Sequence, residues 1–345
     1  MKKINVFFHG NCFDGAVSAA LFKVFYLQCL DAEGDFKFIP LAHMQEFSYE
    51  KEMFDADVNA VMDFRYPPVP WVDWWFDHHQ TTFMTPRDRK HFESRSRKEH
   101  FFWNPKAPSN TGFQADTLMR FYNFKLDPQW NTVIEWADTI DSAGFESPEI
   151  PVELFDNAVA FAVLLEASND PELQVKFIED LANLGDFDAM AATTWWSNRL
   201  NTVRQKNWDT VEDIRRVMET EEGVSYVKIT DRVNNGYNKF ISYYLEPETD
   251  YSVAFLKYPD KLKISVGANP FIPEDRRGNF DIGTLCEKYG GGGHYNVGGI
   301  AVSLAEESKA NEIVQEILFI LRNFERDIHS MRTRDRIEEL PEFID

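Results

Sequence analysis

The first thirty positions change rhythm twice. Ile4-Asn5-Val6-Phe7-Phe8 is a short, β-prone apolar run, and His9 to Gly15 is a polar loop closed by glycine. Ala16 to Leu30 then places Ala19, Ala20, Phe22, Val24 and Leu27 at helical spacing. Two more short apolar runs follow, Asn59 to Phe64 and Val72 to Phe76, with Asp63 and Asp77 at their ends. Short strands alternating with helical stretches predict a parallel, doubly wound sheet. Such sheets place ligands outside the carboxyl ends of their strands, where His9, Asp63 and Asp77 fall.

Phe83 to Asn110 is a long polar insertion without a clear period. Helical patterns resume at Gly112 to Phe124, at Pro128 to Ile140 and through much of 152–220. The charged stretch Ser197 to Thr220 reads as a linker helix, ended by Glu221-Glu222-Gly223. After it the period drops from 3.6 to 2. Val224 to Thr230, Ile241 to Leu245, Tyr251 to Lys257 and Leu262 to Val266 read as strands, with Tyr258-Pro259-Asp260-Lys261 as a turn. A glycine-rich loop at 290–293, a strand at Gly299 to Ser303 and a helix from Glu306 to Arg326 complete the pattern. The expected fold class is α/β: a doubly wound, mostly parallel N-terminal sheet and a smaller C-terminal α/β domain with a mixed sheet. The expected boundaries are 1–196, a linker helix at 197–223, a second domain at 224–328 and a charged tail at 329–345.

Composition narrows the function. At 345 residues the chain is long for one core, so two domains are the default. A net charge of −21 repels long duplex nucleic acid unless a metal or a local basic patch intervenes. Arg87, Arg89, Lys90, Arg95, Arg97 and Lys98 form one such patch, for which a solvated loop is the simpler reading. The tryptophan pairs Trp74-Trp75 and Trp195-Trp196 suit core packing better than base stacking. Cys12, Cys29 and Cys286 are odd in number and scattered, which points to a reducing compartment. The N-terminus is too short in apolar residues for a signal peptide, and no run approaches the ~18–20 apolar residues a membrane span needs. A cytoplasmic location without membrane contact is therefore expected.

Four polar clusters carry candidate chemistry: the His9 to Gly15 loop, Asp63, Asp77-His78-His79, and Asp138-Thr139-Ile140-Asp141. Imidazole and carboxylate ligands suit manganese, iron, cobalt or zinc, and one carboxylate can bridge two ions. Any one cluster is explained equally well as a cap or a turn. Convergence of several at one sheet edge is what favours a metal site. In the second half, Gly290, Gly291, Gly292 and Gly293 precede His294, and four glycines in a row cost a folded chain entropy. Close approach of backbone N–H groups to an anion is one reason for them, and a tight turn is the other. Pro108-Ser109-Asn110-Thr111-Gly112 opens a helix, and N-capping alone explains it.

In order along the chain, these motifs resemble the DHH phosphoesterase family with its C-terminal DHH-associated domain. The resemblance rests on His9 with Asp14-Gly15, Asp63, Asp77-His78-His79, and the Gly290 to His294 run followed by a glycine pair, and it covers nearly the whole chain. It implies two divalent ions, manganese first, with cobalt, iron or zinc as alternatives. It implies His9 and Asp14 as ligands, Asp63 as a bridge and His78 as a further ligand. Asp77, His78 and His79 would carry catalysis, with His79 supporting the site or meeting the phosphate. The remaining aspartate is best matched by Asp138, with Asp141 in reserve. Gly290 to Gly293 and His294 would hold substrate phosphate. Two departures stand out. Cys12 replaces the first acid of Asp-x-Asp-Gly, and a thiolate favours softer ions. Val266-Gly267-Ala268-Asn269 lacks the arginine that relatives often carry there, leaving Arg276 or Arg277 as substitutes.

The expectation is hydrolysis of a phosphodiester in a short oligonucleotide or small nucleotide by a metal-bound hydroxide. Hydrolysis of polyphosphate or pyrophosphate is the alternative, and a non-catalytic nucleotide-binding regulator is the third reading. An acidic chain suits a short substrate better than long duplex nucleic acid. A homodimer is left open.

Overall fold

The structure, a computed structural model, describes residues 1–42, 47–95, 100–168, 170–230, 237–274, 278 and 280–324. It divides into two compact units. The first comprises 1–145 and 155–203, the second 146–154 and 204 onward, so the boundary falls within the helix Thr194–Val217.

The first unit is built on five parallel strands: β1 (Lys3–His9), β2 (Asp35–Leu41), β3 (Val58–Met62), β4 (Trp74–Asp77) and β5 (Phe101–Trp103). Their order is β2-β1-β3-β4-β5. The central strands read as unbroken apolar runs because both faces are covered. On one face Phe7, Val61, Trp75 and Phe101 stand side by side in register, under Phe54, Phe83 and Phe92. On the other, Trp74 packs edge-on against Phe22 and Phe25 of α1 (Phe13–Cys29). Each of these buried aromatics stabilises the fold by roughly 1.5–3 kcal/mol relative to exposure. Helix α1 is buried nearly all round, held between the sheet and, chiefly, three other helices. Those are α3 (Asn110–Tyr122), α4 (Trp130–Asp141) and the helix Pro171–Leu184.

Among the elements of this unit that went unread in the sequence are strand β2 and, inside the apparently aperiodic insertion, both α2 (Pro86–Ser94) and β5. Helix α2 opens on a capping box between Thr85 and Asp88, with proline in its first turn. Its Arg95 flank is packed: the guanidinium lies 3.4 Å from the Phe101 ring centre and donates to Tyr66 Oη and Val72 O. Arg97 and Lys98 of the same patch lie outside the described residues.

The second unit is a six-stranded mixed sheet, ordered β10-β11-β9-β8-β7-β6. Its strands are β6 (Glu219–Glu221), β7 (Val224–Ile229), β8 (Tyr251–Lys257), β9 (Leu262–Ala268), β10 (Gly292–His294) and β11 (Val297–Val302). Strands β7 and β8 pair in parallel and the other neighbours are antiparallel. The helix Glu307–Arg322 covers one face through Ile313, Val314, Ile317 and Leu321, while Val211 and Ile214 join Val227, Ala254 and Leu256 in a second core. Ile241–Leu245, expected as a strand, is a helix. Five residues are too few for a period to decide, and Asn238 Oδ1 accepts from Phe240 N to start the turn. The tail at 329–345 lies outside the described residues. Among those described, no helix is long and apolar enough to cross a membrane.

Candidate metal centre

The site begins where β1 stops. His9 is the last residue of β1, and the chain turns at Asn11 in the left-handed region (φ 56°) before α1 begins. Asp14 sits in the first turn of that helix, and Gly15 lets it press against the strand end, since a Cβ there would meet His9 O at 2.4 Å. Asp63, just past β3, is also left-handed (φ 54°) and 1% exposed. Such a conformation costs a non-glycine residue on the order of 1 kcal/mol or more and persists where surroundings enforce it. Asp77 ends β4 and delivers His78 and His79. The parallel sheet thus aims three strand ends at one place.

Asp63 Oδ2 lies 3.5 Å from His9 Nδ1 and 3.6 Å from Cys12 Sγ. Its Oδ1 lies 3.7 Å from both His78 Nε2 and His79 Nδ1. His78 Nε2 is also 3.8 Å from Asp14 Oδ2 and 3.2 Å from Asp141 Oδ2. Three donor groups result: His9–Cys12–Asp63, Asp63–His78–His79 and Asp14–His78–Asp141, each with its ligand atoms within 4.8 Å of one another. Asp63 and His78 each belong to two groups.

Supporting contacts fix these side chains. Nδ1 of His78 pairs with Ala107 O at 3.1 Å, which turns Nε2 toward the carboxylates. Asp77 is fully buried, and its carboxylate accepts from His78 N, His79 N, His79 Nδ1 and Thr82 Oγ1. Those bonds make it an anchor for His79. Asp14 takes the backbone N–H groups of Asn110 (2.7 Å) and Thr111 (2.9 Å), so the free amides at the α3 start are taken up by Asp14. Ser109 caps α3 through Gly112 N and donates to Asp138 Oδ1 at 2.6 Å. Asp138 is therefore tied to the helix start and joins none of the three groups, whereas Asp141 does.

A brace missed in the sequence comes from Gln174 in the helix Pro171–Leu184. It is 2% exposed. Its Oε1 accepts from Asn11 N (3.0 Å) and its Nε2 donates to Asn11 Oδ1 (2.8 Å), pinning the left-handed turn. Nothing short of the fold pairs residues this distant.

The electrostatics show what the cluster costs. Burial, then the charges of Asp63, Asp141 and Asp14, push the Cys12 thiol well above its usual range. Burial and the Asp63 and Asp141 charges likewise raise Asp14. Burial pulls His78 down, but Asp141, Asp14 and Asp63 outweigh it and hold the imidazole at about 10. His79 is treated the same way by burial, Asp77 and Asp63 and rests at about 9. Asp63 Oδ1 is buried without a hydrogen-bond partner among the described residues. Buried Asp14 and Asp63, the more exposed Asp141, an orphaned oxygen and imidazoles within a few ångströms fit a divalent cation, which would offset both repulsion and desolvation.

In the second unit, Gly292 and Gly293 pair with Gly299 and Gly298 across a hairpin turned at Tyr295-Asn296. A Cβ on Gly293 would meet Val297 O at 2.2 Å, so close backbone packing by itself accounts for glycine there. His294 is exposed, and Tyr295 beside it is 41% exposed. Arg276 and Arg277 lie outside the described residues.

No protein-family model matches the sequence, and no curated protein matches it. Solved structures do. A pGpG-specific phosphodiesterase, PggH from Vibrio cholerae, is 21% identical with a TM-score of 0.62, over 91% of this chain and 98% of that one. An exopolyphosphatase-related protein from Bacteroides fragilis is 14% identical with a TM-score of 0.50, over 93% of this chain and 94% of that one. RecJ from Thermus thermophilus, in complex with Mg2+, is 12% identical with a TM-score of 0.52, over 94% of this chain and half of that one. The likeness extends over both units, and the chain shares the fold of these three solved structures.

Proposed function

We propose that this chain is a metal-dependent phosphoesterase acting on a phosphodiester of a short oligonucleotide or small nucleotide. The observation that carries the reading is the set of three overlapping donor groups joined by Asp63 and His78 at the carboxyl ends of a parallel sheet. His9, Asp14, Asp63, His78 and Asp141 are the residues proposed to hold two divalent ions, manganese first, with Cys12 admitting cobalt, iron or zinc. Bound there, divalent cations would lower the pKa of water and neutralise phosphoryl oxygens. His79, held through Nδ1 by Asp77 and kept protonated against burial by Asp77 and Asp63, would offer its Nε2 proton to a phosphate or leaving-group oxygen. Gly290 to Gly293 and His294 are proposed to meet a substrate phosphate or terminal nucleotide. The exposed ring of Tyr295 supports a base over polyphosphate, which would need several cations.

The test is release of mononucleotide or phosphate with manganese from a dinucleotide, an oligoribonucleotide, a cyclic dinucleotide and polyphosphate. Turnover of a short nucleotide substrate, lost in Asp63→Asn, is expected. Release from polyphosphate alone would overturn the substrate assignment. Silence under manganese, cobalt, zinc and iron would leave the chain as a non-catalytic nucleotide binder.

A further inference from the structure

The two oxygens of the buried Asp63 carboxylate serve different neighbours. Oδ2 lies 3.5 Å from His9 Nδ1 and 3.6 Å from Cys12 Sγ. Oδ1 lies 3.7 Å from His78 Nε2, which itself stands 3.8 Å from Asp14 Oδ2 and 3.2 Å from Asp141 Oδ2. His79 Nδ1 is also 3.7 Å from Oδ1, but Asp77 already engages it at 2.7 Å. One side of Asp63 therefore offers nitrogen and sulfur, and the other offers nitrogen and carboxylates. On a tetrahedral ion bonded at about 2.1 Å to nitrogen and oxygen and about 2.3 Å to sulfur, neighbouring ligand atoms stand roughly 3.4–3.6 Å apart. The gaps from Asp63 Oδ2 to His9 and Cys12 already have that spacing. Nor does local structure explain the thiol. Cys12 is the N-cap residue of α1, where a side-chain oxygen usually caps, and it makes no capping bond.

Thiolate ligands select zinc-class ions, while carboxylates suit manganese and magnesium. We infer that the centre is asymmetric about Asp63. His9, Cys12 and Asp63 Oδ2 form a thiolate-bearing position selective for a zinc-class ion, and Asp14, His78, Asp141 and Asp63 Oδ1 form a position for a manganese-class ion. The thiol proton passes to solvent as the first of these is filled. The inference rests on the metal-binding part of the phosphoesterase reading and assigns an ion to each side of the shared carboxylate. Zinc at the thiolate position holds against excess manganese, so only the carboxylate position follows the supply of the harder ion. Cys29, at the far end of α1, and Cys286, in the second unit, join none of the donor groups among the described residues, so a metal-thiolate signal reports Cys12.

The experiment titrates the full-length, metal-stripped protein with cobalt, a coloured stand-in for zinc. A thiolate on cobalt gives an intense near-ultraviolet charge-transfer band that nitrogen and oxygen ligands do not. In wild type the band is expected to saturate at about one equivalent, to vanish when about one equivalent of zinc is added, and to survive about a tenfold excess of manganese. Cys12→Ser should erase the band and weaken zinc about 100-fold, with manganese affinity, read from the free-ion paramagnetic signal, kept within about twofold. Cys12→Asp should restore an ion there without the band and without the preference for zinc. No cobalt uptake, cobalt bound without the band, a band that persists in Cys12→Ser, or one that manganese displaces as readily as zinc would each overturn the asymmetry. The wild-type competition decides the matter even where a variant fails to fold. Turnover assays keep the two ideas apart. A protein that sorts its ions in this way but hydrolyses nothing sinks the phosphoesterase reading, and an active enzyme with two like positions sinks only this one.

Discussion

Two polar regions drew attention in the sequence, and the structure gives them opposite energetics. At the edge of the parallel sheet, carboxylates, a thiol and imidazoles are buried together against their own electrostatic preferences, with Cys12 and Asp14 pushed up and two residues in left-handed backbone. In the second unit, the glycine run forms a hairpin in which small size is demanded by backbone packing. The first arrangement makes little sense for stability alone. The second makes sense without any ligand. Strain unexplained by packing is the better guide to function.

The comparison can be broken most directly at Asp63. Asp63→Asn keeps the side-chain shape and tolerates the left-handed turn. Activity is expected to fall by about 10²–10³-fold, while metal-free thermal stability stays level or rises as repulsion is relieved. A fall in both would show that Asp63 serves the fold. Next comes the pair in α4. Asp141→Asn should weaken manganese binding by calorimetry about 10–100-fold. Asp138→Asn should act mainly on the start of α3, costing about 1 kcal/mol. Reversed effects would restore Asp138 as the ligand.

Gln174→Ala removes both bonds to Asn11 and should cost about 1–3 kcal/mol in denaturant melts, with weaker metal binding. Unchanged metal affinity would reduce Gln174 to a packing residue. The smallest effects sharpen the glycine side. Gly293→Ala should destabilise by about 1–3 kcal/mol through its clash with Val297 O. Gly292→Ala meets nothing within 4 Å and should stay within about 0.5 kcal/mol. Lost turnover in Gly292→Ala at unchanged stability would support the proposed contact of the loop with substrate phosphate, and unchanged turnover would count against it.

Much of this was legible because the signals were local. Apolar runs closed by His9, Asp63 and Asp77 announced a parallel sheet and the edge at which those residues meet. Helix α2 was also announced, by Thr85-Pro86 and Asp88, but a polar helix face hid its period. Strand β2 alternates with charged residues and carries a proline near its end, so its apolar signal is weak. The short stretch Ile241–Leu245 fits strand and helix equally. The choice between Asp138 and Asp141 turns on which face of one helical turn meets His78, and that depends on the contact between α4 and α3. Gln174 carries no motif at all, since its role exists only across 163 residues of chain.

That last contact has a consequence for how the protein is made. Every proposed ligand has been synthesised once Asp141 leaves the ribosome, yet the turn that orients His9 and Asp14 is braced only when Gln174 follows. At roughly 5–20 residues per second the interval is on the order of seconds. During it, the nascent chain carries every proposed donor without the brace that orients two of them, so any choice among ions would fall to the finished unit.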